Sequence, residues 1–227
     1  MAYGPNKHTA IRGLIVWALI MSVGWTTGMF PVMLEARGTI HAGIAAACLP
    51  PFTGAMMGFC GGLIISGLWL VLSKKLGIIS TDRWMFSTVA GMSLGGAIVG
   101  VTAAPVMVLF GAISDNSGAW VLSGAVLAGT FGCILGLFQW RALRFHMAQA
   151  GWWIGASVVG WLLAGGAFWL VYRALGGPFF LPWYHHEESW PGISVFLMAA
   201  ISGYLIGGII LSMVMGTTLR LLLSRRI

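Results

Sequence analysis

Long runs of this chain carry no Asp, Glu, Lys or Arg, among them Gly13 to Leu34, Thr39 to Ser73, Trp84 to Ser114 and Trp152 to Tyr172. A transmembrane helix needs roughly 20 predominantly apolar residues, so each run is long enough to cross a bilayer. Inside hydrocarbon the backbone has no water to bond to, and only helices or closed barrels satisfy it from within. Barrel strands alternate apolar and polar residues, and these runs do not. They read as helices. A soluble fold fails on composition as well, since 7% of the residues are charged where soluble domains carry about a quarter.

The pattern predicts an all-α membrane protein, one transmembrane domain over residues 1–227, with six spans. These are Ile11–Met33, Pro50–Leu72, Trp84–Phe110, Ala119–Leu143, Trp152–Tyr172 and Pro191–Leu219. Pro50 and Pro51 suit a helix's first turn, where a missing N–H costs nothing. Ser80-Thr81-Asp82 offers a capping oxygen ahead of the third span. Pro105 would bend that span unless neighbouring groups satisfy the freed carbonyl.

Net charge is +7, and its distribution sets orientation. Lys7, Arg12, Lys74, Lys75, Arg83, Arg141, Arg144, Arg220, Arg225 and Arg226 fall at the termini and the second and fourth loops; the other loops hold only Arg37 and Arg173. The positive-inside rule puts both termini in the cytoplasm, as expected of a multi-pass protein of the cell's inner membrane. Anionic lipid headgroups, and no nucleic acid, are the expected partners of that basic face. Cys48, Cys60 and Cys133 have no clustered spacing and read as small core residues, without metal or redox chemistry.

An internal repeat organises the spans. Trp17, Trp84 and Trp153 are each followed seven residues later by Gly24, Gly91 and Gly160, and four further on by Gly28, Gly95 and Ala164. The intervening helices align through Gly61, Gly132 and Gly208. The chain thus reads as three tandem helical hairpins, about 11–75, 76–146 and 147–227, all crossing in the same sense. The first span resembles a signal peptide in its flanking charge, but it carries the repeat motif and is expected to be retained. Steps of seven and four keep the motif on one helical stripe. Small residues on such a stripe let backbones approach closely in lipid. The chain holds 34 glycines in 227 residues, about twice the usual ~7%.

The segment Gly136-Leu137-Phe138-Gln139-Trp140-Arg141-Ala142-Leu143-Arg144, followed by Ala150-Gly151-Trp152-Trp153 and Gly160-Trp161, resembles uncharacterised multi-span integral membrane proteins of phototrophic bacteria. Their pattern is G-L-x-Q-W-x-x-L-R, a short basic loop, then W-W and G-W. Gly203 to Leu223 is similar to their glycine-rich final helix. The likeness covers the second half of the chain and reaches the first half only through the repeat, where Leu68-Trp69 replaces Gln-Trp. It implies a membrane fold and no particular activity.

Three sets of residues are candidates for chemistry. His185, His186 and Glu188 on the fifth loop could bind a divalent metal, although adjacent residues rarely converge on one ion. The plainer reading is a solvated loop anchored by neighbouring aromatics. Arg141 and Arg144 could grip a phosphate or carboxylate, or simply reach lipid headgroups. Gln139, Trp140 and Trp161 could line a lipid tail, pigment or other hydrophobic cofactor, or fill packing gaps.

No Asp, Glu, Lys or His falls at the middle of a span, which disfavours a proton-coupled pump. No P-loop, G-x-S-x-G, C-x-x-C-H or zincin pattern occurs. The expectation is a non-catalytic subunit or scaffold in a larger membrane complex, conceivably photosynthetic or otherwise energy-transducing, contacting other membrane subunits and lipid. The alternatives are a small carrier or channel for lipids or neutral solutes and, less favoured, a metal-dependent membrane enzyme.

Overall fold

The computed structural model describes residues 44–76, 81–113, 117–145, 147, 149–175 and 190–224. They form five helices, α1 (Ile44–Leu76), α2 (Thr81–Ile113), α3 (Ser117–Leu143), α4 (Trp152–Ala174) and α5 (Trp190–Ser224). No strand occurs among the described residues. The expected first span, with Gly24 and Gly28, and the loop carrying His185, His186 and Glu188 lie outside the described residues.

The helix ends follow local chemistry. α2 opens at Thr81 with Asp82 in its first turn, where a carboxylate meets the positive end of the helix dipole. α5 opens with Trp190-Pro191, and a proline there loses no helical bond. At α1 the expectation needs correcting. The helix starts at Ile44, ahead of Pro50 and Pro51, so these prolines do not open it. The preceding Ala-Ala-Ala-Cys-Leu run is rich in strong helix formers, and the helix gives up the bonds to the Ala46 and Ala47 carbonyls. α2 likewise runs through Pro105 to Ile113.

Four helices hold an apolar stretch long enough to cross a membrane: Asp82–Ala103, Val121–Leu143, Trp152–Val171 and Ile201–Leu219. α1 holds a shorter one, Gly54–Gly67. At 1.5 Å per residue, 20 residues reach about 30 Å, the thickness of the hydrocarbon core. The side chains are sorted as lipid requires. Val101, Leu137, Leu170, Ile209 and Met213 face outward, whereas Ser66, Thr88, Ser123, Gln139, Ser157 and Ser212 are buried. A soluble protein sorts them the other way. The described residues are all-helical, and their apolar helices mark a membrane-embedded protein.

Consecutive helices pack on each other in chain order. Between α1 and α2 the backbones touch. A Cβ added at Gly54 would run into the Gly96 carbonyl, one at Gly96 into the Gly54 carbonyl, and one at Gly58 into the Met92 carbonyl. Between α2 and α3, a Cβ at Gly91 would stand 2.9 Å from Phe138 Cβ and 3.2 Å from Leu135 Cδ1. Between α4 and α5, one at Gly160 would stand 2.9 Å from Leu211 Cδ1 and 3.5 Å from Val214 Cβ. Gly61, Gly95, Gly132, Ala164 and Gly208 are also buried.

The α3–α4 connection is tied down rather than loose. Met147 N–H donates to the Leu143 carbonyl at 3.0 Å and Trp153 N–H to the Ala150 carbonyl at 3.0 Å. Met147 and Ala150 enter the core beside Leu143, Trp84 and Trp153.

Gly96→Leu forces a side chain into the opposing backbone and is expected to destabilise the protein by about 1–3 kcal/mol. Gly155→Ala, at a position with open space around it, is expected to leave the protein as stable as the parent or up to about 1 kcal/mol more stable. Thermal unfolding of the two variants in detergent checks both.

Candidate functional site

The most polar place in the described core lies where α2 and α4 begin and α3 ends. Trp84 and Trp153 stand one turn or less into their helices and meet edge to face, ring centroids 5.6 Å apart and planes at 69°. Both are almost fully buried. Thr88 sits one turn beyond Trp84, on the same face. Gln139 comes from the last turns of α3 and enters between them.

Trp153 Nε1–H donates to Gln139 Oε1 at 2.9 Å. Gln139 Nε2–H donates to Thr88 Oγ1 at 3.1 Å. An indole N–H can only donate, so it fixes which end of the amide faces it, and the NH2 is left for threonine. One side chain therefore ties α2, α3 and α4 together. At the corresponding place between α4 and α5, Ser157 Oγ lies 3.7 Å from Met215 Sδ, a much weaker partner.

These groups are an amide, a hydroxyl and two indoles, none of which titrates near neutrality. The cluster can hold helices in register; it offers no acid or base for catalysis.

Around it lies a basic rim. The Arg144 guanidinium stands 4.8 Å from the Phe145 ring centroid and 5.5 Å from that of Trp140. Arg83, from the start of α2, stands 5.4 Å from the same Phe145 ring. Arg83, Arg141 and Arg144 are all exposed. The start of α2 and the end of α3 thus share one end of the molecule.

The candidate residues separate. Gln139 joins Thr88 and Trp153, while Trp140 lies against Arg144. Trp161 lies about 12 Å along α4 from Trp153 and packs edge-on against Phe131, centroids 4.6 Å apart. It also lies over Gly132, where a Cβ would meet Trp161 Cβ at 2.7 Å. Cys60 and Cys133 are free thiols. No three His, Cys, Asp or Glu side chains gather among the described residues.

Thr88, Trp153, Arg83 and Phe145 belong to this end and were not singled out from the sequence as site residues. The signal for Thr88 was present: it follows Trp84 by four, as Ser157 follows Trp153. Comparison of the chain with family models, with curated proteins and with solved structures found no match.

Gln139→Leu keeps the bulk and leaves Trp153 Nε1–H without its acceptor and Thr88 Oγ1 without its donor. The expected loss of stability is about 1–3 kcal/mol. A double-mutant cycle with Thr88→Val should give a coupling of about 0.6 kcal/mol, up to ~1.7, as for hydrogen bonds between helices in lipid.

Proposed function

We propose that this chain is a non-catalytic integral membrane subunit or scaffold within a larger membrane complex, photosynthetic or otherwise energy-transducing. In this reading six spans form three tandem parallel hairpins, about 11–75, 76–146 and 147–227. Both termini and the basic rim face the cytoplasm, and the membrane is the cell's inner membrane.

One observation carries the functional half. Buried polar side chains are spent on holding helices: Gln139 bonds Thr88 and Trp153, and Ser212 Oγ–H bonds its own helix at the Gly208 carbonyl, 2.7 Å away. Ser66 Oγ–H reaches from α1 to the Met85 carbonyl of α2 at 3.4 Å. Ion and proton pathways use charged groups in the membrane, and the described spans place no Asp, Glu, Lys, Arg or His at their middle.

The repeat reading is supported by matching contacts. Gly91 faces Leu135 and Phe138, and Gly160 faces Leu211 and Val214. Leu135 and Phe138 follow Gly132 by three and six, as Leu211 and Val214 follow Gly208. Two hairpins of different sequence thus use the same positions for the same contact. The resemblance to multi-span proteins of phototrophic bacteria adds the suggestion of an energy-transducing setting.

Extraction of the native protein in a mild detergent tests the reading. The chain is expected to migrate with other membrane proteins or a bound pigment, well above the size of its own 24.2 kDa in a micelle. A chain that runs alone, colourless and without partners, contradicts it.

A further inference from the structure

We infer that Arg83 and Arg144, converging on the Phe145 ring, form a binding site for the phosphodiester headgroup of an anionic phospholipid. The inference rests on the membrane reading of the chain and not on its having protein partners.

Two guanidinium groups approach one aromatic ring, Arg83 from the start of α2 and Arg144 from the turn that follows α3, at 5.4 and 4.8 Å from its centroid. Like charges gathered around one ring repel, and an anion beside them relieves that repulsion. The described residues supply little to offset them, because Asp82 is the one carboxylate among them. Arg141 stands exposed one turn before Arg144. The excess positive charge is local.

The apolar part of a lipid also has a place. Phe86 lies three residues after Arg83, on the same face of α2, and is 76% exposed. Leu137 lies seven residues before Arg144, on the same face of α3, and is also exposed. A headgroup held by the two arginines would have its acyl chains over Phe86 and Leu137. Phe145, itself 60% exposed, sits at the boundary where aromatic side chains favour the headgroup level. Planar guanidinium forks match phosphate oxygens two at a time, which a lone surface lysine cannot do. A soluble phosphate would use the arginines but leave the apolar surface below them unused.

Delipidated protein in nanodiscs of phosphatidylcholine, doped with phosphatidylglycerol, provides the test, with native mass spectrometry reading the lipid retained. Phosphatidylglycerol should be retained over phosphatidylcholine. The double variant Arg83→Gln with Arg144→Gln should weaken that preference roughly 5- to 30-fold, from the loss of two basic contacts near the surface. Arg173→Gln, at the far end of α4, should leave it unchanged. Replacing both arginines by lysine keeps the charge and should retain part of the preference, which separates lost binding from lost folding. Equal retention of the two lipids, or an unaffected glutamine pair, overturns the inference. Displacement by inorganic phosphate as effective as by phosphatidylglycerol also overturns it, since the site would then take a free anion. A chain that runs alone in mild detergent yet keeps this preference would remove the scaffold reading and leave the lipid site standing.

Discussion

Lipid tails are as apolar as leucine, so no hydrophobic force draws helices together in a bilayer and they hold only where atoms touch. Dispersion falls off steeply with distance, which makes the approach of one backbone to another the controlling quantity. In this protein the approach is made at glycine. Gly54 and Gly96 meet carbonyl to Cα across α1 and α2, Gly58 meets Met92, and Gly207 meets the Ala164 carbonyl across α4 and α5. A methyl group at any of these would have to move a helix. Isolated helices lose stability when they carry glycine; here that cost is offset by contact area that no larger residue permits.

Once the backbones are close, the few polar side chains between them must bond to one another. Gln139 does this for three helices at once, and its orientation follows from the indole of Trp153. The next interface replaces that amide with Met215 against Ser157, and the first repeat has Leu68 at the aligned position. Small and large residues also change sides. Phe131 of α3 fills the space over Gly95 of α2, whereas Gly207 of α5 lies against Ala164 of α4. The α4–α5 contact is backbone-on-backbone at Gly207 and padded by the Phe168 ring at Gly203, as the α2–α3 contact is by Phe131 at Gly95. Among the described residues, the middle hairpin carries the bonding glutamine and the paired-arginine rim.

Much of the fold was legible because a bilayer leaves a chain few choices. Uncharged runs announced the helices, and α4 begins at Trp152 as expected. The glycines at 91, 95, 132 and 160 are buried. The helix starts were less legible. Ile44 opens α1 ahead of two prolines, because alanine and leucine propagate a helix that two missing N–H groups do not stop. The site was half legible. Gln139 stood out as a polar residue in an apolar run, but its partners are 51 residues back and 14 ahead. No local pattern joins such positions; the repeat register equates Thr88 with Ser157 but pairs neither with Gln139. Arg144 was read as a headgroup contact, yet its convergence with Arg83 depends on how α2 and α3 cross.

The close approach of consecutive helices can be measured directly by cross-linking. A Cβ at Gly129 of α3 would lie 3.5 Å from Leu162 Cβ of α4, within the range a disulfide requires. With the native cysteines at 48, 60 and 133 changed to serine, Gly129→Cys paired with Leu162→Cys should cross-link nearly completely on mild oxidation in membranes. Gly129→Cys paired with Gly155→Cys, two turns earlier in α4, should not. Failure of the first pair to cross-link, or equal cross-linking of both, would mean that the helices do not meet where their small residues align.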